Sequence, residues 1–389
     1  MKQYKKVEFI DDIDEVVKLG EYRQYSEMTS FDLNFLIGLL REKKPKKIVE
    51  IGVAAGATTV ALCQALEYFK IKSDIYSIDL NETLWNDKSK KTGYVTKKLN
   101  NSYDYVRHTF KIGGVIADFI EEIGNNIDFL IIDTAHTLPG EILDFVTCLP
   151  YMKENATVVL HDVGLNHMGV INPENAENAE YLATSFATKV LFDTVTADKY
   201  YMLDHNNPYD ISNIAAFTLT DETEENILDV ISALTLTWDY LPNKLQWESY
   251  LAIYKRKYTS EYVDRLERIY WLQARTESFR KICKHYKGEI RLLANKWRRT
   301  SKVYIYGCGR YGEIYYNYAK ANALPVSGMI VSDSETIREN YTKQFETRIY
   351  HLSDVNLIGD DIGVVMAISG NLYNECLRNL IQIGDVNIL

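Results

Sequence analysis

Residues 30–42 (SFDLNFLIGLLRE) set Phe31, Phe35, Leu36, Leu39 and Leu40 at steps of three and four. That spacing predicts an amphipathic helix, with Ser30 as its N-cap and Pro45 as its stop. A short apolar run at 47–51 predicts a strand. It is followed by a tight loop at 52–56, a helix over 58–69 and a second strand at 75–80, which together make an opening βαβ unit. Two further buried-type strands are predicted at 127–133 (IDFLIID) and 156–161 (ATVVLH), separated by a helix over 139–149, with others at 189–195 and 214–220. Nearly continuous apolar strands alternating with helices imply a parallel sheet covered on both faces.

Residues 222–299 read as helical. From Ile269 a seam of apolar or semi-apolar residues runs through 272, 276, 279, 283, 286, 290, 293 and 297, interrupted by Thr276 and Cys283, with Gly288 as a break. Such a seam can pack on its own domains or pair two copies as a homodimer. A new βαβ pattern opens at 302, with strands predicted at 302–306, 326–331, 348–351, 362–368 and, last, 386–389. The fold class is therefore α/β, in three parts: a domain at 1–221, a helical connector at 222–300 and a small Rossmann-like α/β domain at 301–389.

Composition narrows the classes. At 389 residues with 46% hydrophobic and 25% charged, the chain is long enough for two cores and too apolar for disorder. No stretch is apolar enough to span a membrane, and the first residues turn acidic where a signal peptide would be apolar, which places the protein in the cytoplasm. Five dispersed cysteines lack disulfide or zinc spacing. The net charge of −10 argues against nucleic-acid binding, yet 255–302 holds fifteen Lys/Arg against five Asp/Glu, a local +10 suited to an anionic partner.

Candidate chemistry begins at the first loop, Glu50-Ile51-Gly52-Val53-Ala54-Ala55-Gly56, with the pattern E-x-G-x-x-x-G. Glycines let a ligand approach the backbone, and free N–H groups at the following helix start favour an anionic group. Asp79 follows Gly56 by 23 residues, the distance at which a carboxylate meets ribose hydroxyls, and Glu50 is suited to an ammonium group. A dinucleotide would require different glycine spacing. Strand ends at 133–136 (Asp-Thr-Ala-His) and 160–162 (Leu-His-Asp) then bring two carboxylates and two imidazoles to one rim. There His136 or His161 could take a hydroxyl proton, or Asp133 and Asp162 could hold a divalent cation.

These landmarks resemble the class I S-adenosylmethionine-dependent methyltransferases, and 132–163 resembles the branch of macrocin O-methyltransferases and cephalosporin hydroxylase-like proteins. The resemblance covers about 30–220. It implies a Rossmann-like methyltransferase sheet, S-adenosylmethionine held by Glu50, Gly52, Ala54, Gly56, Asp79 and Asp133, and Mg²⁺ on Asp133 and Asp162, with His136 and His161 the catalytic candidates that the strand ends supply. The chain departs from the pattern at His161, where some members carry an acid, and at 153–155, where paired glycines are usual. The polar segment 86–105 is either a lid or a surface loop.

A second loop, Gly307-Cys308-Gly309-Arg310-Tyr311-Gly312, joins a strand to a helix as G-x-G-x-x-G, and Asp333 stands 21 residues on. Only 89 residues remain from 301, too few for a full dinucleotide domain. The segment resembles small domains of bacterial sugar-modifying enzymes, implying a nucleotide or nucleotide sugar on Gly307, Gly309, Gly312 and Asp333. An assembly element without ligand is the alternative.

The expectation is an S-adenosylmethionine-dependent O-methyltransferase acting on a sugar or polysaccharide precursor. A non-catalytic cofactor- or nucleotide-sugar-binding module and an NAD-dependent sugar oxidoreductase are the competing readings.

Overall fold

The computed structural model describes residues 4–99, 102–167, 179–207, 210–286 and 288–389. They form two compact units, Met1–Ile269 and Tyr270–Leu389. The boundary falls inside the stretch expected as a connector, because its first half packs into the first unit: Trp247, Tyr250, Ile253 and Tyr254 of helix Lys244–Lys257 are buried, and Tyr250 and Tyr254 hydrogen-bond residues of helix Gly140–Cys148.

In the first unit the strands are β1 (Lys47–Ile51), β2 (Ser73–Asp79), β3 (Val106–Ile112), β4 (Ile127–Ile132), β5 (Met152–His161), β6 (Asp198–Tyr200) and β7 (Ile214–Thr218). They make one seven-stranded sheet ordered β3-β2-β1-β4-β5-β7-β6. The strands β1 to β5 run parallel, β7 is antiparallel to β5, and β6 is antiparallel to β7. The chain runs outward through β1, β2 and β3 and returns to the middle at β4. That reversal leaves a crevice beyond the carboxyl ends of β1 and β4, where open α/β sheets hold ligands.

Helix Ser30–Lys43 is capped by Thr29, one residue earlier than expected. The Thr29 hydroxyl accepts from the Asp32 N–H at 3.1 Å, and the Asp32 carboxylate accepts from the Thr29 N–H at 2.9 Å. This reciprocal capping box satisfies two otherwise unpaired donors. Lys44, left-handed at φ 48°, ends the helix ahead of Pro45.

Two differences from the expected elements have local causes. The apolar run at 189–195 is not a strand but part of helix Ala187–Thr194. Its buried side chains, Ala187, Thr188, Leu191 and Phe192, recur at helical spacing, and the strand follows at Asp198–Tyr200. The edge strand β3 has no counterpart among the predicted strands, because one neighbour and partial exposure let Arg107, His108 and Lys111 interrupt its apolar pattern.

The second unit carries β8 (Lys302–Tyr306), β9 (Gly328–Val331), β10 (Ile349–His351) and β11 (Ile362–Met366) in a parallel sheet ordered β10-β9-β8-β11. Helix Ser260–His285 stops before Gly288 and the chain resumes a helix at Ile290–Arg299, as the glycine suggested. Within the seam, Leu293 and Trp297 enter the core, whereas Leu272, Phe279 and Cys283 are exposed and the neighbouring Ile282 packs inward instead. The expected last strand at 386–389 reduces to a single bridge between Ile388 and Val364.

Candidate active site

The first glycine loop leaves β1 at the crevice. Gly52 has φ 93°, and a Cβ there would sit 1.7 Å from the Asp133 carbonyl oxygen, so only glycine lets the ends of β1 and β4 pass so closely. Gly56 has φ 84° and opens helix Ala57–Tyr68. Asp79 ties the loop down: its Oδ2 accepts from the backbone N–H of Val53 and of Ala54, both at 3.0 Å, and its Oδ1 accepts from Asn81 at 2.8 Å. Loop and carboxylate line a cavity of 750 Å³ that extends to the ends of β4 and β5.

Glu50 does not reach that cavity. It is fully buried, and its Oε2 accepts from Thr59 Oγ1 at 2.7 Å and Ser77 Oγ at 2.5 Å, while Oε1 has no partner. Burial pushes its carboxyl up to about 7. The ammonium-binding role expected from its place before Gly52 has no geometric support, because β1 turns this side chain into the packing beneath the loop.

At the other end of the cavity stand Asp133, His136 and Asp162, whose ligating atoms lie within 4.8 Å of one another. His136 Nε2 is 3.1 Å from Asp162 Oδ2. Both residues hold left-handed backbone, φ 60° and 62°, a conformation costly for side-chain-bearing residues and concentrated at functional sites. The surrounding chain fixes it. The Glu141 carboxylate accepts from the His136 N–H, the His136 carbonyl accepts from Ala187 N–H at 3.0 Å, and the Asp162 carbonyl accepts from Thr188 Oγ1 at 2.9 Å. The helix misread as a strand thus supports both residues.

His161 lies deeper, 2% exposed, among three carboxylates. Its Nδ1 is 3.2 Å from Asp133 Oδ1 and 3.1 Å from Asp162 Oδ2, and its Nε2 is 3.7 Å from Asp32 Oδ2. Burial alone would lower its pKa, but Asp162 and Asp133 outweigh it and hold the imidazole well above its usual value. Asp162 responds oppositely: burial would raise it, yet the charge and hydrogen bond of His161, with His136 and Asn213, keep it below the usual carboxylate range. Asn213 Nδ2 donates to Asp162 Oδ1 at 2.5 Å. Both histidines line the cavity, His136 at 8% exposure and His161 at 2%.

Three contributors were not singled out from sequence. Asp32 supports His161 from below, and its signal was the T-x-x-D capping pattern. Asp144 lines the cavity, is pushed up to about 7 by burial, and accepts from Tyr250 OH at 2.9 Å. Glu27 lines it as well. In the segment 86–105, Thr92 lines the cavity, and residues 100 and 101 lie outside the described residues.

In the second unit, Gly307 has φ 115°, and a Cβ on Gly312 would lie 2.0 Å from the Gly307 carbonyl oxygen, so close backbone packing accounts for both. Gly309, by contrast, begins helix Arg310–Ala321 with open space beside it. The Asp333 carboxylate accepts from Ser353 N–H at 2.9 Å, and Tyr311 stacks on His285 with ring centroids 3.9 Å apart.

Residues 49–163 match the model of a family described as a methyltransferase domain. No curated protein matches the chain. Similar solved structures include SAH-bound methyltransferase PaMTH1 of Podospora anserina (16% identity, 55% of this chain and 91% of that one, TM-score 0.38). Another is an O-methyltransferase of Bacillus cereus in complex with SAH (15% identity, 53% and 90%, TM-score 0.35). A third is MycE methyltransferase of the mycinamycin biosynthetic pathway with Mg, SAH and mycinamycin VI (17% identity, 54% and 56%, TM-score 0.33). Residues 49–163 of this chain, from within β1 to just past the end of β5, thus match a methyltransferase-domain model, within a seven-stranded sheet of Rossmann-like methyltransferase type.

Proposed function

We propose that the first unit is an S-adenosylmethionine-dependent O-methyltransferase acting on a hydroxyl of a sugar or similar compound. The observation that carries the reading is one cavity with a glycine loop and Asp79 at one end and Asp133, His136 and Asp162 at the other. Asp79, already accepting three backbone N–H groups, offers its remaining lone pair, on Oδ1, to a ribose hydroxyl, and the N–H groups at the start of helix Ala57–Tyr68 suit the carboxylate of the cofactor.

Methyl transfer to oxygen requires the acceptor hydroxyl to lose its proton as the bond from carbon to sulfur breaks. His136 lines the acceptor end, with Nε2 3.1 Å from Asp162 Oδ2 and Nδ1 3.8 Å from Glu141 Oε1, so two carboxylates orient the ring and stabilise the imidazolium formed when it takes that proton. Asp133, His136 and Asp162 also fit a divalent cation, since two carboxylates and an imidazole converge there with ligating atoms within 4.8 Å of one another. Such an ion, when bound, would lower the pKa of the acceptor hydroxyl. His161 holds Asp133 and Asp162 in place in either case.

Titration calorimetry with S-adenosylmethionine and S-adenosylhomocysteine tests the reading, with micromolar binding of both expected. Absence of binding by either, or binding of NAD in this cavity, refutes it.

For the second unit we infer a nucleotide or nucleotide sugar at the Gly309 loop, supported by the open flank of that glycine at a helix start. Equilibrium dialysis with UDP-glucose, and its loss in Gly309→Val, is the corresponding test.

A further inference from the structure

The charge and rim of the cavity restrict what can be methylated there, an inference that rests on the transferase reading above. Five carboxylates line it, Glu27, Asp79, Asp133, Asp144 and Asp162, and among the described residues no lysine or arginine does. Phosphate recognition depends on guanidinium or ammonium groups, or on backbone N–H arrays, and here the N–H array is the one at the cofactor loop. Nearby cations are already engaged: Lys90 pairs with Asp87, and Lys91 lies 3.6 Å from Glu82. In the part of the basic stretch within the first unit, Lys255 pairs with Glu267 at 3.2 Å and Arg256 with Glu121 at 3.0 Å. A cation on Asp133 and Asp162 would be balanced by those two carboxylates, and the His161 imidazolium, which also lines the cavity, by Asp32 at 3.7 Å, leaving Glu27 uncompensated. Burial and the charge of Asp133 hold the Glu27 carboxyl above its usual value, as a negative field requires.

The rim has a second character. Tyr25, Trp85 and Tyr181 line it, Trp85 is 68% exposed, and its indole N–H donates to Glu27 Oε1 at 3.3 Å. An exposed indole fixed by one hydrogen bond presents a flat apolar face beside an acceptor of hydrogen bonds. That pairing matches a ring with an apolar face and hydroxyls on its edge. We propose that the methyl acceptor is an uncharged, hydroxyl-bearing ring, free of phosphate and carboxylate, which lies on Trp85 and donates a hydrogen bond to Glu27. A sugar reaches this site in free or glycosidic form, not as a nucleotide sugar.

The test uses the full chain with methyl-labelled S-adenosylmethionine and a small-molecule extract of its source cells, fractionated on cation and anion exchangers at neutral pH. Labelled product is expected in the fraction that neither resin retains, and its mass spectrum separates a methylated sugar from a methoxyarene. Labelled product held by either resin overturns the proposal. Absence of any labelled product, in protein that binds S-adenosylmethionine by calorimetry, refutes instead the transferase reading on which the proposal stands.

With the neutral acceptor isolated, Trp85→Ala is expected to raise its KM about five- to tenfold, with kcat and cofactor affinity unchanged. An unchanged KM removes Trp85 from the acceptor site. UDP-glucose is expected to leave the parent reaction unaffected and to inhibit Glu27→Lys. Equal inhibition of both proteins overturns the charge argument.

Discussion

Glu50 offers a quantitative test of how this sheet is built. Its carboxyl is fully buried, bonded to Thr59 and Ser77, and pushed by burial from 4.5 to about 7. The folded state therefore holds its proton more tightly than the unfolded state does. Below about pH 4.5 both states are protonated and the group contributes no pH dependence. Between 4.5 and about 7 the unfolded chain releases the proton first, so stability falls as pH rises, and above about 7 the whole penalty is present. At 1.36 kcal/mol per unit, a rise of about 2.5 units amounts to about 3 kcal/mol lost between pH 4.5 and 8. Glu50→Gln removes the titration while keeping an oxygen for Thr59 and Ser77. Its new amide replaces the unpartnered Oε1, a pH-independent cost of about 1–3 kcal/mol. Urea unfolding at pH 5, 6, 7 and 8, followed by circular dichroism, should show the variant gaining about 2–3 kcal/mol on the parent from pH 5 to pH 8. Asp144 titrates in the same window in both proteins and cancels in the difference. A stability difference between the two proteins that changes by less than about 1 kcal/mol over that range would refute the reasoning.

Asp79→Ala should weaken S-adenosylmethionine at least tenfold by calorimetry and cost about 2 kcal/mol of stability, because the N–H groups of Val53 and Ala54 lose a charged acceptor. Equal cofactor affinity would place the ribose elsewhere. Gly52→Ala should abolish cofactor binding and lower the melting temperature by several degrees, since its Cβ overlaps the Asp133 carbonyl. If Asp133, His136 and Asp162 hold a cation, activity should vanish in chelator and return with Mg²⁺ or Mn²⁺, while Asp162→Asn keeps cofactor affinity. Full activity in chelator assigns proton removal to His136 alone.

Much of this organisation is local and therefore legible along the chain. The strands β1, β4 and the second half of β5 are largely buried on both faces, so apolar residues dominate them despite Glu50 and Asp128, and their ends could be placed within a few residues. Gly52 and Asp79 also announced themselves, one by a conformation only glycine adopts and the other by closing a strand at a fixed distance. Other features depend on partners distant in sequence. Arg107, His108 and Lys111 hid β3, because an edge strand needs no continuous apolar pattern, and 189–195 suits strand or helix equally until Leu191 and Phe192 find a core to face. Spacing placed Glu50 beside a ligand, but the pleat of β1 turned it into the packing. The same ambiguity covered His136 and His161: both stood at strand ends, and only the three carboxylates converging on His161 from β4, β5 and the helix at Asp32 distinguish its surroundings from those of His136. The charge of the cavity has the same origin. Glu27, Asp133, Asp144 and Asp162 are scattered over more than a hundred residues, and they share one wall because the sheet reverses between β1 and β4.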